Sequence, residues 1–218
     1  MQEIVRNLPD IDWITGILFF SLILLVISKR LFYSRFLNFI ILPINNKYIF
    51  MYNKKLKLSH AFHVLLSTFQ LLQFSLFLFL CSAHIPHSLY AGSPFLFVII
   101  VFVLLVFTLI KTGILLGNGV LFDSTNFMSE WVFKKNSYLN FSGLVVFASN
   151  IILTYNILPS KPIIYTTITL ICIINAVGWV TMIRNHQNFI TTHFVYFILY
   201  LCALEIAPFF ILGSYLNY

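Results

Sequence analysis

The chain has 218 residues, 60% of them apolar and only 9% charged, with 13 lysines and arginines against 6 acidic residues and a net charge of +7. A soluble domain is about 45–50% apolar and about 25% charged, and a fold of this length has too little interior to hide such an excess. The composition excludes an ordinary soluble enzyme or binding module. The basic residues lie between apolar runs, which fits lipid headgroups and membrane topology and argues against a nucleic-acid partner.

The first dozen residues carry Glu3, Asp10 and Asp12 against Arg6, the wrong balance for a secretory leader. The apolar run that follows ends at Lys29-Arg30 without a small-residue cleavage site, so it reads as a retained first span, about Trp13 to Ile27. Leu31, Phe32, Phe36, Phe39 and Ile40 then mix with Arg30, Ser34, Arg35 and Asn38, a composition suited to a short helix in the headgroup layer that Pro43 ends. The second span covers about Leu58 to Cys81 and the third about Pro94 to Lys111. Gly113, Gly117 and Gly119 read as a flexible exit from the third.

A second surface helix is predicted over Thr125 to Lys135. Asp123 or Ser124 would cap it, Glu130 and Lys134 are four apart, and Lys134-Lys135 would complement its C-terminal dipole. The fourth span runs from about Phe141 to Leu158 and the fifth from about Pro162 to Met182, joined by a tight link at Pro159 and Pro162. The sixth covers about Ile190 to Leu212. The expected fold is all-α: a polytopic bundle of six spans forming one integral-membrane domain over residues 1–218, with short interfacial helices on the cytoplasmic side.

Lysine and arginine set the orientation. Lys29, Arg30, Arg35, Lys47, Lys54, Lys55 and Lys57 follow the first span, Lys111, Lys134 and Lys135 the third, and Arg184 the fifth. The opposite side has Arg6 and Lys161, so both termini are expected outside and the basic segments in the cytoplasm. Lys29, Arg30, Arg35, Lys54, Lys55 and Lys57 are the residues expected to meet lipid phosphates.

Glu205 is the one carboxylate well inside an apolar run, where a charge costs roughly 2.5–3.5 kcal/mol at a helix centre. Pro208 lacks an N–H and so leaves the carbonyl of Leu204 without its helical partner. At about 1.5 Å per residue, Glu205 stands roughly 10 Å in from the outer end of its span, and Gln73 and Asn150 reach a similar level, with Thr169 and Ser21 close to it. Two readings stay open. The polar set is either a protonatable site for proton-coupled movement or interhelical glue, worth about 1 kcal/mol or less per hydrogen bond.

His60 and His63 share a helix face, as do His186 and His193, all near the cytoplasmic surface. A metal or haem site is the sharp reading of these four. Against it, no carboxylate on that side stands at ligand spacing, and interfacial polar histidines are the better account, so no metal and no cofactor is predicted. Cys81, Cys172 and Cys202 show no paired or metal-type spacing. No nucleophile motif, phosphate loop or H-E-x-x-H occurs.

Tyr200, Cys202, Leu204, Glu205, Ile206 and Pro208 spell Y-x-C-x-L-E-I-x-P. In that motif, in the acidic start ending at Asp12-Trp13 and in its span count, the chain resembles an uncharacterised inner-membrane family of the Bacteroidota, a domain of unknown function. The resemblance implies a cell-envelope setting in the bacterial inner membrane and supplies no activity. The leading expectation is a non-enzymatic subunit of an inner-membrane complex for protein export or envelope biogenesis, its partners the lipid bilayer and other membrane-protein subunits. The alternatives are a small proton-coupled transporter centred on Glu205 and a metal or haem membrane enzyme using His60, His63, His186 and His193.

Overall fold

Helices that are apolar on every face have no stable place at a water-exposed surface, and within lipid a backbone satisfies its polar groups only as helix or closed barrel. The structure, a computed structural model, describes residues 12–42, 49, 51, 60–82, 94–121, 125–155 and 161–185. Among the described residues there is no strand, and the elements are α1 (Asp12–Leu31), α2 (Tyr33–Ile40), α3 (Ala61–Ser82), α4 (Pro94–Leu121), α5 (Thr125–Tyr155) and α6 (Lys161–Asn185). Five helices, all but α2, are long and apolar enough to cross a membrane. The expected sixth span, with Glu205 and Pro208, lies outside the described residues.

In α1, Asp12 occupies the first turn and Lys29 and Arg30 the last, each sign matched to its end of the helix dipole. The chain breaks at Phe32 (φ −132°, ψ 50°) without a capping side chain. The backbone bridges the break, since Phe32 N–H donates to Ser28 C=O at 3.1 Å and Phe36 N–H to Phe32 C=O at 2.9 Å. The helix α2 that follows buries Phe36 and Phe39 against the bundle while Tyr33, Leu37 and Ile40 stay exposed.

Two elements run further than their residues suggest. The helix α4 continues past Lys111 through Gly113, Gly117 and Gly119, so those glycines are helical and not a flexible exit. The helix α5 is unbroken over Thr125–Tyr155, so Thr125 to Lys135 is its first part and not a separate surface helix. Its polar middle survives because the side chains find partners: Ser137 donates to Phe133 C=O at 2.8 Å, Ser142 to Leu139 C=O at 2.8 Å, and Asn140 Oδ1 meets Ser67 Oγ at 3.5 Å. Lys134 and Lys135 therefore stand inside a helix, with no C-terminal dipole to complement.

The centre of the bundle is α3, which packs against α1, α4 and α5. It is antiparallel to α1, as the ring pairs Trp13–Phe79 (5.0 Å) and Phe32–Phe62 (5.7 Å) show. It is parallel to α5, because Phe69–Phe147 and Gln73–Asn150 advance together along both helices. One apolar cluster gathers Phe36, Phe39, Phe62, Leu66, Phe133 and Tyr138 at the basic end. Another gathers Ile14, Leu18, Leu76, Phe79 and Phe97 at the opposite end. The outer helices are α4 and α6, which stay mostly exposed, whereas α3 and α5 bury much more of their length. Contacts divide the chain into two compact units, Met1–Gly178 and Trp179–Tyr218. The packing of α1 to α5, and of α6 as far as Gly178, lies within the first; the described part of the second is the end of α6, residues 179–185.

Candidate functional site

Two parallel helices lie close only where one gives up its side chain. A Cβ at Gly143 of α5 would stand 3.2 Å from the Cα of Gln70, so at this crossing the backbones are in contact. A polar seam follows the crossing through the bundle. Toward the basic end Ser67 of α3 meets Asn140 of α5 at 3.5 Å. Two turns further along, Asn150 Nδ2 donates both to the backbone carbonyl of Gln73 at 2.9 Å and to its Oε1 at 3.0 Å. Both residues are 0% exposed. Beside them Thr167 of α6 donates to Ser149 at 2.8 Å.

This pair keeps hydrogen-bonding capacity in reserve. Gln73 Nε2 and Asn150 Oδ1 are buried with no partner among the described residues. An unsatisfied buried polar group costs about 1–3 kcal/mol, so a neutral donor and acceptor side by side favour a group carrying the complementary acceptor and donor. The chemistry on offer is recognition by hydrogen bonds, and among the described residues no charged group meets the pair.

Of the other groups expected at this depth, Thr169 is exposed and bonds the Tyr165 carbonyl at 2.9 Å, and Ser21 is buried and bonds the Leu18 carbonyl at 2.8 Å. The residue that joins the seam is Thr167. It shares a face with Gly178, about three turns on, where a Cβ would come within 2.8 Å of the buried Tyr138 ring. That close approach sets the rotation of α6; the glycine itself marks a close helix contact in the sequence, while its partner Tyr138 is not legible there.

The histidines take separate roles. His60 caps α3: its carbonyl accepts from His63 N–H at 2.8 Å and Val64 N–H at 3.1 Å, and its Nδ1 accepts from Phe62 N–H at 3.2 Å. Arg35 Nη1 lies 2.7 Å from Nε2 and 2.9 Å from Nδ1. A guanidinium only donates, so the contact requires a ring lone pair and a neutral imidazole. Burial and then the Arg35 charge hold His60 below the usual histidine range. Arg35 is half-buried here, with its guanidinium 5.7 Å from the Phe32 ring.

His63 is buried, its ring 5.4 Å from Phe133, and neither nitrogen has a partner among the described residues. Among the described residues no group of three His, Cys, Asp or Glu could hold a metal. Lys29 and Arg30 are exposed at the end of α1. His186, His193, Lys54, Lys55, Lys57, Glu205 and Pro208 lie outside the described residues.

No curated protein and no solved structure matches the chain. A family profile described as a domain of unknown function (DUF4271) matches residues 14–216, from the first turn of α1 past the Tyr200–Pro208 stretch. The chain, an apolar multi-helix protein, thus belongs to the DUF4271 family.

Proposed function

We propose that the protein is a non-enzymatic, multi-span subunit of a complex in the bacterial inner membrane, serving protein export or envelope biogenesis. The observation that carries this reading is the open side of α4. Gly113 and Gly117 are four apart on that helix, both exposed, with open space where a Cβ would be. Small residues at that spacing let a second helix bring its backbone close, which is how helices associate in lipid without a hydrophobic driving force. Phe95, Phe102 and Leu109, at 69%, 66% and 64% exposure, add apolar surface along the same helix.

In this proposal the chain is one integral-membrane domain of the Bacteroidota type, its sixth span covers residues 190–212, and both termini are periplasmic. The helix α2 lies at the headgroup layer, with Lys29, Arg30, Lys54, Lys55 and Lys57 toward lipid phosphate. Extraction in mild detergent followed by mass spectrometry tests the subunit role. A discrete complex is expected, lost in a Gly113→Leu/Gly117→Leu variant that keeps its helix content. A protein that migrates alone under every mild condition contradicts the reading.

A second reading, a small proton-coupled transporter, draws on the spare donor of Gln73 and acceptor of Asn150, which suit a polar species within the bundle. Glu205 would be its protonatable group. Exchange of Glu205 for Gln should abolish a pH-dependent flux under this reading, and leave a complex subunit intact under the first.

A further inference from the structure

One ring serves two donors where α2 meets α3. His60 stands just ahead of α3, and its Nδ1 accepts from the Phe62 N–H at 3.2 Å. Arg35 Nη1, in the first turn of α2, reaches the same ring at 2.7 Å from Nε2 and 2.9 Å from Nδ1. The Phe32 ring stands edge-on to His60 at 5.2 Å and to Phe62 at 5.7 Å, with the Arg35 guanidinium 5.7 Å from its centroid. A neutral imidazole has a single lone pair, on which both donors depend. An imidazolium has none and sets a second cation against the guanidinium. One proton thus takes the acceptor away from α2 and from the start of α3 together.

The chain beside this ring is built to bend. At Phe32 the backbone leaves helical angles, and no side chain caps the helix that follows. Further along α2, Phe36 and Phe39 are buried in the core cluster, an apolar hold that a proton on His60 leaves untouched. Movement is thereby confined to the elbow and the first turn of α2. The other titratable groups described at this end are Tyr33 on α2, Lys29 and Arg30 in the last turn of α1, His63 on α3, and Glu130 and Lys134 on α5. Glu130 is the one carboxylate among the described residues there, and Arg35 is the charged group that touches the ring.

We propose that the α1–α2 elbow is a proton-operated latch: protonation of His60 parts Arg35 from the start of α3, and the elbow opens at Phe32 while Phe36 and Phe39 keep α2 on the bundle. Burial and then the Arg35 charge lower the ring's proton affinity, so the latch opens below the ordinary histidine value of 6.5. In a background without Cys81, Cys172 and Cys202, spin labels at the exposed positions Ser34→Cys on α2 and Val64→Cys on α3 report the elbow by pulsed electron resonance in lipid nanodiscs. The titration runs from about pH 8 to about pH 5, the range in which histidine changes charge. A single narrow distance is expected at the upper end, giving way below 6.5 to a longer and broader one. Protection of the Phe62 amide against hydrogen exchange should fall with it by about fivefold, the worth of one hydrogen bond. His60→Asn and His60→Gln keep an acceptor without a titrating nitrogen and should hold the narrow distance at every pH. His60→Lys, a cation throughout this range, should show the broad one. A labelled parent protein whose distance ignores pH overturns the latch, as does a pH response that persists undiminished in folded His60→Asn.

Discussion

An amide in hydrocarbon has few partners to choose from, and this makes the Gln73–Asn150 contact asymmetric. Asn150 donates to the backbone carbonyl of Gln73 as well as to its side chain. Asn150→Leu removes both bonds and should destabilise the protein by about 1–2 kcal/mol in reversible detergent unfolding. Gln73→Leu leaves the backbone acceptor in place and should cost less, with the double variant close to Asn150→Leu alone. Strict additivity of the two would show that the side chains do not act as a pair.

At His60 the sign of a pH effect follows from its lowered pKa. The unfolded chain takes up the proton first as the pH falls, so the contribution is full above the ordinary value of 6.5 and declines as pH drops toward the lower folded value. His60→Asn keeps a capping acceptor without a titrating ring and should flatten the loss of thermal stability in that window. An unchanged slope would mean that another group is responsible.

The crossing of α3 and α5 depends on a missing side chain, and glycine substitutions separate required from incidental positions. Gly143→Val presses on the Gln70 backbone and should cost about 1–3 kcal/mol, and Gly178→Ala must displace the buried Tyr138 ring. At Gly16 no atom lies within 4 Å, so Gly16→Ala should be neutral or stabilising by up to about 1 kcal/mol through helix propensity. Equal melting temperatures for all three variants would contradict the packing described.

What the sequence discloses at this scale follows from what each signal depends on. The apolar runs report the five described helices that are long and apolar enough to cross a membrane, because apolar character is written into every residue of a run. The shared depth of Gln73 and Asn150 is legible because helical rise is constant and can be counted, whereas their direct contact is not. The continuity of α5 is not legible, since Asn136, Ser137 and Asn140 look like a loop until the helix interior and Ser67 supply partners. The exchange of Thr169 for Thr167 is equally hidden, because the rotation of α6 is set by Gly178 against Tyr138.

For the whole molecule the physical basis is charge placement on an apolar frame. Lys29, Arg30 and Arg35 lie at the end of α1 and on α2, and Lys161 opens α6 at the other end of the bundle. The helices between them are long enough to cross a bilayer, and their outer faces carry exposed aliphatic and aromatic side chains. If the bundle crosses the membrane with its basic ends in the cytoplasm, the two ends must differ in access from outside the cell. In a background without Cys81, Cys172 and Cys202, single cysteines at Ser34→Cys, Ser129→Cys and Lys161→Cys are treated with a membrane-impermeant thiol reagent on intact cells. Labelling of Lys161→Cys from outside, with Ser34→Cys and Ser129→Cys reached only after permeabilisation, is the predicted result. Labelling of Ser34→Cys or Ser129→Cys from outside while Lys161→Cys stays protected would contradict it.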